Sequence, residues 1–94
     1  MNENNLRQLQ SLKEEVDRNK TVSRTYIHKG ELLTFEIEYL TLEESSTYQY
    51  SLKLYRDHVF TYLDKASEFF TLCNSFNIAL EELFELDIDI LSFE

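Results

Sequence analysis

A chain of 94 residues with 43% apolar and 29% charged side chains is long enough for one domain with its own core and too short for two. Nine Lys and Arg stand against 18 Asp and Glu, a net charge of −9, which repels phosphate and excludes nucleic acid and anionic membrane as direct ligands. One Gly and no Pro exclude Gly-rich phosphate loops, and a lone Cys73 excludes a disulfide framework.

From Asn5 to about Lys20, Leu6, Leu9, Leu12 and Val16 recur at helical spacing behind a cap at Asn5, which predicts an amphipathic helix. Thr21 to His28 is β-branched and aromatic, and Lys29-Gly30 is a turn, so a hairpin is expected. Its second strand places Leu33, Phe35, Ile37 and Tyr39 on an apolar face and Thr34, Glu36 and Glu38 on the other. After a break at Glu43 to Ser46, a third strand turns Tyr48, Tyr50, Leu52 and Leu54 inward. Asp57 reads as a helix cap, and Val59, Phe60, Leu63, Ala66, Phe70 and Cys73 follow as a stripe of helical period. A corner at Asn74 to Ile78 separates that long helix from a short one carrying Ala79, Leu80, Leu83, Phe84 and Leu86. Residues 87–93 open with the period-two alternation of Asp87, Ile88, Asp89 and Ile90, fitting either a frayed helix or a further strand. The expected fold is a single acidic α+β domain over residues 1–94: a three-stranded antiparallel meander with an N-terminal helix and two C-terminal helices. Its order is αβββαα, or αβββααβ if the tail forms a strand.

The run Leu72-Cys73-Asn74-Ser75-Phe76-Asn77-Ile78-Ala79-Leu80-Glu81-Glu82-Leu83-Phe84 resembles the last two helices of lambda-repressor-like helix-turn-helix domains. That likeness implies a tight corner between two helices, with Asn77 in it and Ile78 plugging it. The DNA reading of that family is not implied, because strands and acidic residues stand where its helix-turn-helix would be.

Catalytic and metal chemistry find little material. Cys73, His28 and His58 fall on separate elements, Asp57-His58 has no nucleophile beside it, and Asp87 and Asp89 lack the further ligands of a calcium loop. The expectation is therefore a non-enzyme without cofactor or metal. The polar stretch Met1 to Asn5 lacks the features of a secretory signal, no apolar run reaches ~20 residues, and the lone thiol suits a reducing compartment, so a cytoplasmic location is expected.

Charge is the informative feature. Residues 1–30 hold six Lys and Arg against four Asp and Glu, while residues 31–94 hold three against 14, and no Lys or Arg occurs from Ala66 onward. Two acidic surfaces are expected to bind a partner. The first is Glu36 and Glu38 on the second strand, about 6.6 Å apart by strand rise, with Glu31, Glu43 and Glu44 at its ends, five acids in fourteen residues without a base. The second is Glu81, Glu82, Glu85, Asp87 and Asp89. Of six tyrosines, Tyr39, Tyr48 and Tyr50 are expected inside, and Tyr26, Tyr55 and Tyr62 are the surface candidates; Tyr55 is the one taken as a partner-binding residue. The partner this implies is a basic protein, plausibly a nucleic-acid-binding enzyme or complex whose site the carboxylates would occupy as phosphate mimics. Small phage-encoded anti-CRISPR and other anti-defence inhibitors are similar in style. Two alternatives stand beside it: a homo-oligomeric assembly or regulatory subunit, homodimeric in the simplest case, and a small-molecule-binding protein.

Overall fold

The computed structural model describes residues 3–43 and 46–86, with side chains from Leu6 onward. The element order is α1 (Glu3–Asn19), β1 (Thr21–His28), β2 (Glu31–Tyr39), β3 (Tyr50–Arg56), β4 (Val59–Ala66) and α2 (Phe69–Phe84). The α+β class and antiparallel meander are present, but four strands and two helices replace the expected three and three. The strands lie in the order β1-β2-β3-β4.

Sequence pattern explains why β1 to β3 form as expected. Leu33, Phe35 and Ile37 alternate along β2 and are fully buried, as are Leu52 and Leu54 on β3. The register joins Val22 to Ile37, Phe35 to Leu54 and Ile37 to Leu52, so one face of the sheet is a continuous apolar floor. Helix α1 packs on it over β1 and β2, and α2 over β3 and β4. Leu9 and Val16 of α1 meet Phe69, Leu72, Cys73, Phe76 and Leu80 of α2 in one core. The opposite sheet face carries no described element. Tyr48 does not join the inward row: it precedes β3, in the connection from β2, and is exposed.

The segment expected as the start of a long helix is instead β4. Asp57 and His58 both have positive φ (49° and 69°) and Arg56 pairs with Val59, a two-residue turn of the kind that matches strand twist. Asp57 therefore turns a hairpin rather than capping a helix. Its Oδ1 accepts a hydrogen bond from the Leu32 amide at 3.0 Å, and its own amide donates to the Leu32 carbonyl at 2.8 Å. A register shift between Leu54 and Tyr55 leaves Thr61 as the extra residue, a bulge that hides the period-two alternation of β4. Tyr62, Asp64 and Ala66 face the helices, whereas Leu63 and Lys65 face away.

Helix α2 then runs without a break through the expected corner at Asn74 to Ile78. Phe69, Leu72, Cys73, Phe76 and Leu80 form one uninterrupted buried stripe, and no Gly or Pro lies within it to end the helix. The two-helix resemblance of this run is thus one helix here. It ends at Glu85, left-handed at φ 55°, with the Leu86 amide donating back to the Leu80 carbonyl at 2.9 Å, and Leu86 is buried. This is a helix stop of Schellman type. The tail at residues 87–93, read as helix or strand, lies outside the described residues.

Candidate protein-binding surface

The two acidic groups are built differently. Glu36 and Glu38 occupy alternate positions of β2 and project from the uncovered sheet face, as expected. The β2–β3 register sets Lys53 opposite Glu36, and its Nζ stands 3.6 Å from Glu36 and 3.5 Å from Glu38. Burial, then the adjacent Glu36, holds the Glu38 carboxyl above its ordinary value despite that ammonium. Tyr55 lies on the same face, half-buried, with its ring edge-on to Phe60 at 5.7 Å between centroids. Glu43 is exposed in the β2–β3 connection, and Glu44 lies outside the described residues. A group read as five acids in fourteen residues without a base therefore has a lysine at its centre, supplied by the next strand. Glu31, at the other end of β2, is taken up by Arg56 in a bidentate pair of 2.8 Å bonds.

Two carboxylates of α1 are likewise committed, while Glu14 is exposed. Glu15 accepts from Arg24 of β1. Asp17 accepts from Lys13 Nζ at 2.7 Å and from the Tyr50 hydroxyl at 2.6 Å, tying the helix to β3. Burial pushes Asp17 upward, but those two donors outweigh it and its carboxyl lies below the ordinary value. Burial and the bond to Asp17 raise the Tyr50 phenol. Lys20 covers the ring of Tyr39 at 4.4 Å.

On α2 the acids stand alone. Glu81, Glu82 and Glu85 are exposed, and all five ion pairs found among the described residues lie between Lys13 and Arg56. Phe70, Asn74, Ile78, Glu81 and Glu85 recur at three- and four-residue steps along the outward side of the helix. Phe70 is 39% exposed and Ile78 47%, with exposed Asn74 between them, so this stripe is uncharged in its first half and acidic in its second. The negative end of the helix dipole falls where the glutamates are. Asp87 and Asp89 lie outside the described residues.

Two of the tyrosines proposed for the surface are packing residues: Tyr26 and Tyr62 lie against the core, Tyr62 stacking against Phe76 and Phe84 of α2. Cys73 is buried, and the described residues contain no group of three His, Cys, Asp or Glu side chains placed to hold a metal. None of their helices is long and apolar enough to cross a membrane. What the sequence reading missed was the exposed apolar side chains of α2, Phe70, Ile78 and Leu83, the first and last read into inward-facing sets and Ile78 placed in a supposed corner.

Comparison of the chain with protein-family models, curated proteins and solved structures finds no match.

Proposed function

We propose that this chain is a non-enzymatic inhibitor or regulator that docks the outward side of α2 on a basic, nucleic-acid-binding site of a partner protein. The observation that carries the reading is the set Glu81, Glu82 and Glu85, exposed and in none of the ion pairs found among the described residues, with exposed Ile78 beside them on the helix. Free carboxylates at a helix end set a field that speeds encounter with Lys and Arg and rejects acidic partners, and the neighbouring Ile78 supplies dehydrated contact. Glu36 and Glu38 contribute less in this reading, because Lys53 already offsets them. The style of action is that of small anti-CRISPR and anti-defence inhibitors, with carboxylates where phosphates would lie.

The test is capture of a partner from cytosolic lysate on the immobilised chain at low salt, elution in a salt gradient, and a displacement assay. The reading requires that the eluted protein bind duplex DNA or RNA, that this chain release the nucleic acid, and that Glu81→Lys with Glu82→Lys abolish the release. Affinity independent of salt, or a partner that keeps its nucleic acid, sinks it.

A further inference from the structure

Among the described strands the sheet ends on two edges, β1 and β4, and they differ in regularity and in charge. On β4 the ladder is broken by the bulge at Thr61, a device that shields an edge from further pairing. β1 instead pairs with β2 in unbroken register over all eight residues, Thr21 to His28. The Tyr39 amide donates to the Lys20 carbonyl at 2.8 Å, which fixes the alternation of the ladder. Val22, Arg24, Tyr26 and His28 therefore exchange hydrogen bonds with β2, and Thr21, Ser23, Thr25 and Ile27 turn their N–H and C=O groups away from the sheet. Those four residues are all exposed, and no described strand pairs with them. The Ser23 carbonyl takes a long bond of 3.3 Å from the Arg24 guanidinium, which a ladder bond would replace.

Charge marks the same edge. Residues 18–30 hold Arg18, Lys20, Arg24 and Lys29 and no Asp or Glu, in a chain of net −9. Arg18, Lys20 and Lys29 are exposed and enter none of the ion pairs found among the described residues. Arg24 is shared with Glu15, and Lys20 rests on the Tyr39 ring.

We infer that the β1 edge takes up an extended acidic segment of a partner protein as an added strand. The outward backbone groups supply the ladder, and charge selects the occupant. The β1 edge of a second copy brings the same cations and is repelled, as is any basic segment, whereas an acidic one meets Lys20 and Lys29 at the two ends and Arg24 between them. Side chains of an added strand alternate between the faces of the sheet. Those on the helix side fall beside Arg24 and suit Asp or Glu. Those on the open side fall beside Thr21, Ser23 and Thr25, whose short side chains leave room, and beside Ile27, which is 72% exposed, and suit apolar residues. The fitting segment thus alternates acidic and apolar residues. β2 separates this edge from β3 and β4, on which α2 packs, so the inference stands independently of the partner proposed for α2.

The test is titration of the intact chain at low salt with a synthetic eight-residue peptide alternating Asp and Val, read by amide hydrogen exchange in NMR spectra. Bound peptide is expected to slow exchange at Thr21, Ser23, Thr25 and Ile27, to bind at least about tenfold tighter than a peptide alternating Lys and Val, and to weaken as salt rises. Thr25→Pro deletes one outward N–H without touching the β1–β2 ladder and is expected to weaken binding by about tenfold, with circular dichroism checking the fold. Arg18→Gln with Lys29→Gln is expected to weaken it by about fivefold at low salt and little at high salt. Of two further peptides, N-methylated at the Asp or at the Val positions, one is expected to lose binding and the other to keep it, because only one set of amides faces β1; this pair decides the matter even where Thr25→Pro fails to fold. No binding up to millimolar peptide overturns the inference. So does equal binding of the Lys and Val peptide, loss of binding with both methylated forms or with neither, or slow exchange at the four amides in the chain alone.

Discussion

Carboxylates do two different things in the two parts of this molecule. Between Lys13 and Arg56 five of them are structural: Glu15, Asp17, Glu31, Glu36 and Glu38 each have a basic partner, and most of these contacts join one secondary-structure element to another, while Glu14 and Glu43 stay exposed. On α2, Glu81, Glu82 and Glu85 enter none of the ion pairs found among the described residues and contribute chiefly a field. Net charge alone cannot distinguish these cases. Neighbours can, and in a meander the neighbours are set by strand register.

The widest separation is expected in binding. Reversing Glu81 and Glu82 to Lys is expected to weaken association with a Lys- and Arg-rich peptide by about a hundredfold at low salt, with thermal stability within about 0.5 kcal/mol of wild type. Fluorescence anisotropy and a melting curve read the two. The converse is expected at Asp17: Asp17→Asn should cost about 1.5 kcal/mol, since it weakens the bonds from Lys13 and Tyr50 at a partly solvated site. Because the Asp17 carboxyl is held below its ordinary value, its contribution is full above about pH 4 and is lost as pH falls through the lowered value. Urea titrations at neutral pH and near pH 3 should therefore show the wild type and Asp17→Asn converging in acid.

A smaller effect is expected from Lys53→Glu, which would set three carboxylates on adjacent positions of one sheet face. A loss of about 1 kcal/mol, shrinking in high salt, is expected from like charges placed cross-strand. The smallest effect has the opposite sign. Glu38 is held above its ordinary value by burial and by Glu36, so its ionisation opposes folding at neutral pH, and the penalty fades as pH falls below the raised value. Glu38→Gln should thus raise the melting temperature at pH 7 by about 1–2 °C and lose that advantage at pH 3.

The parts of the fold that were legible in the sequence are those where one periodicity spoke alone. Leu33, Phe35 and Ile37 alternate without interruption, and Leu9, Leu12 and Val16 repeat at helical steps, so β2 stands where expected and α1 covers its expected stripe, although it begins at Glu3 and so places Asn5 within the helix rather than at its cap. Between Asp57 and Ala66 two signals competed. Val59, Phe60, Leu63 and Ala66 mimic a helical stripe because the bulge at Thr61 shifts the alternation by one residue, and Asp57 suits a cap as well as a turn. Phe76, in the middle of the supposed corner, was the residue that could have revealed a continuous α2. As for the site, the acidic side chains were evident, but Lys53 beside Glu36 and Glu38 was not, because only pairing between strands brings them together.

The strand order has a consequence for how the chain reaches this state. Every strand pairs with its neighbour in sequence, two of the three connections are two-residue turns, and no proline is present to isomerise. Contacts this local carry a small loop-closure entropy, so the sheet can assemble hairpin by hairpin. Refolding after a denaturant jump should lack any phase on the scale of tens of seconds, the signature of prolyl isomerisation. A newly made copy therefore reaches its folded state about as soon as α2 is free to close over β3 and β4.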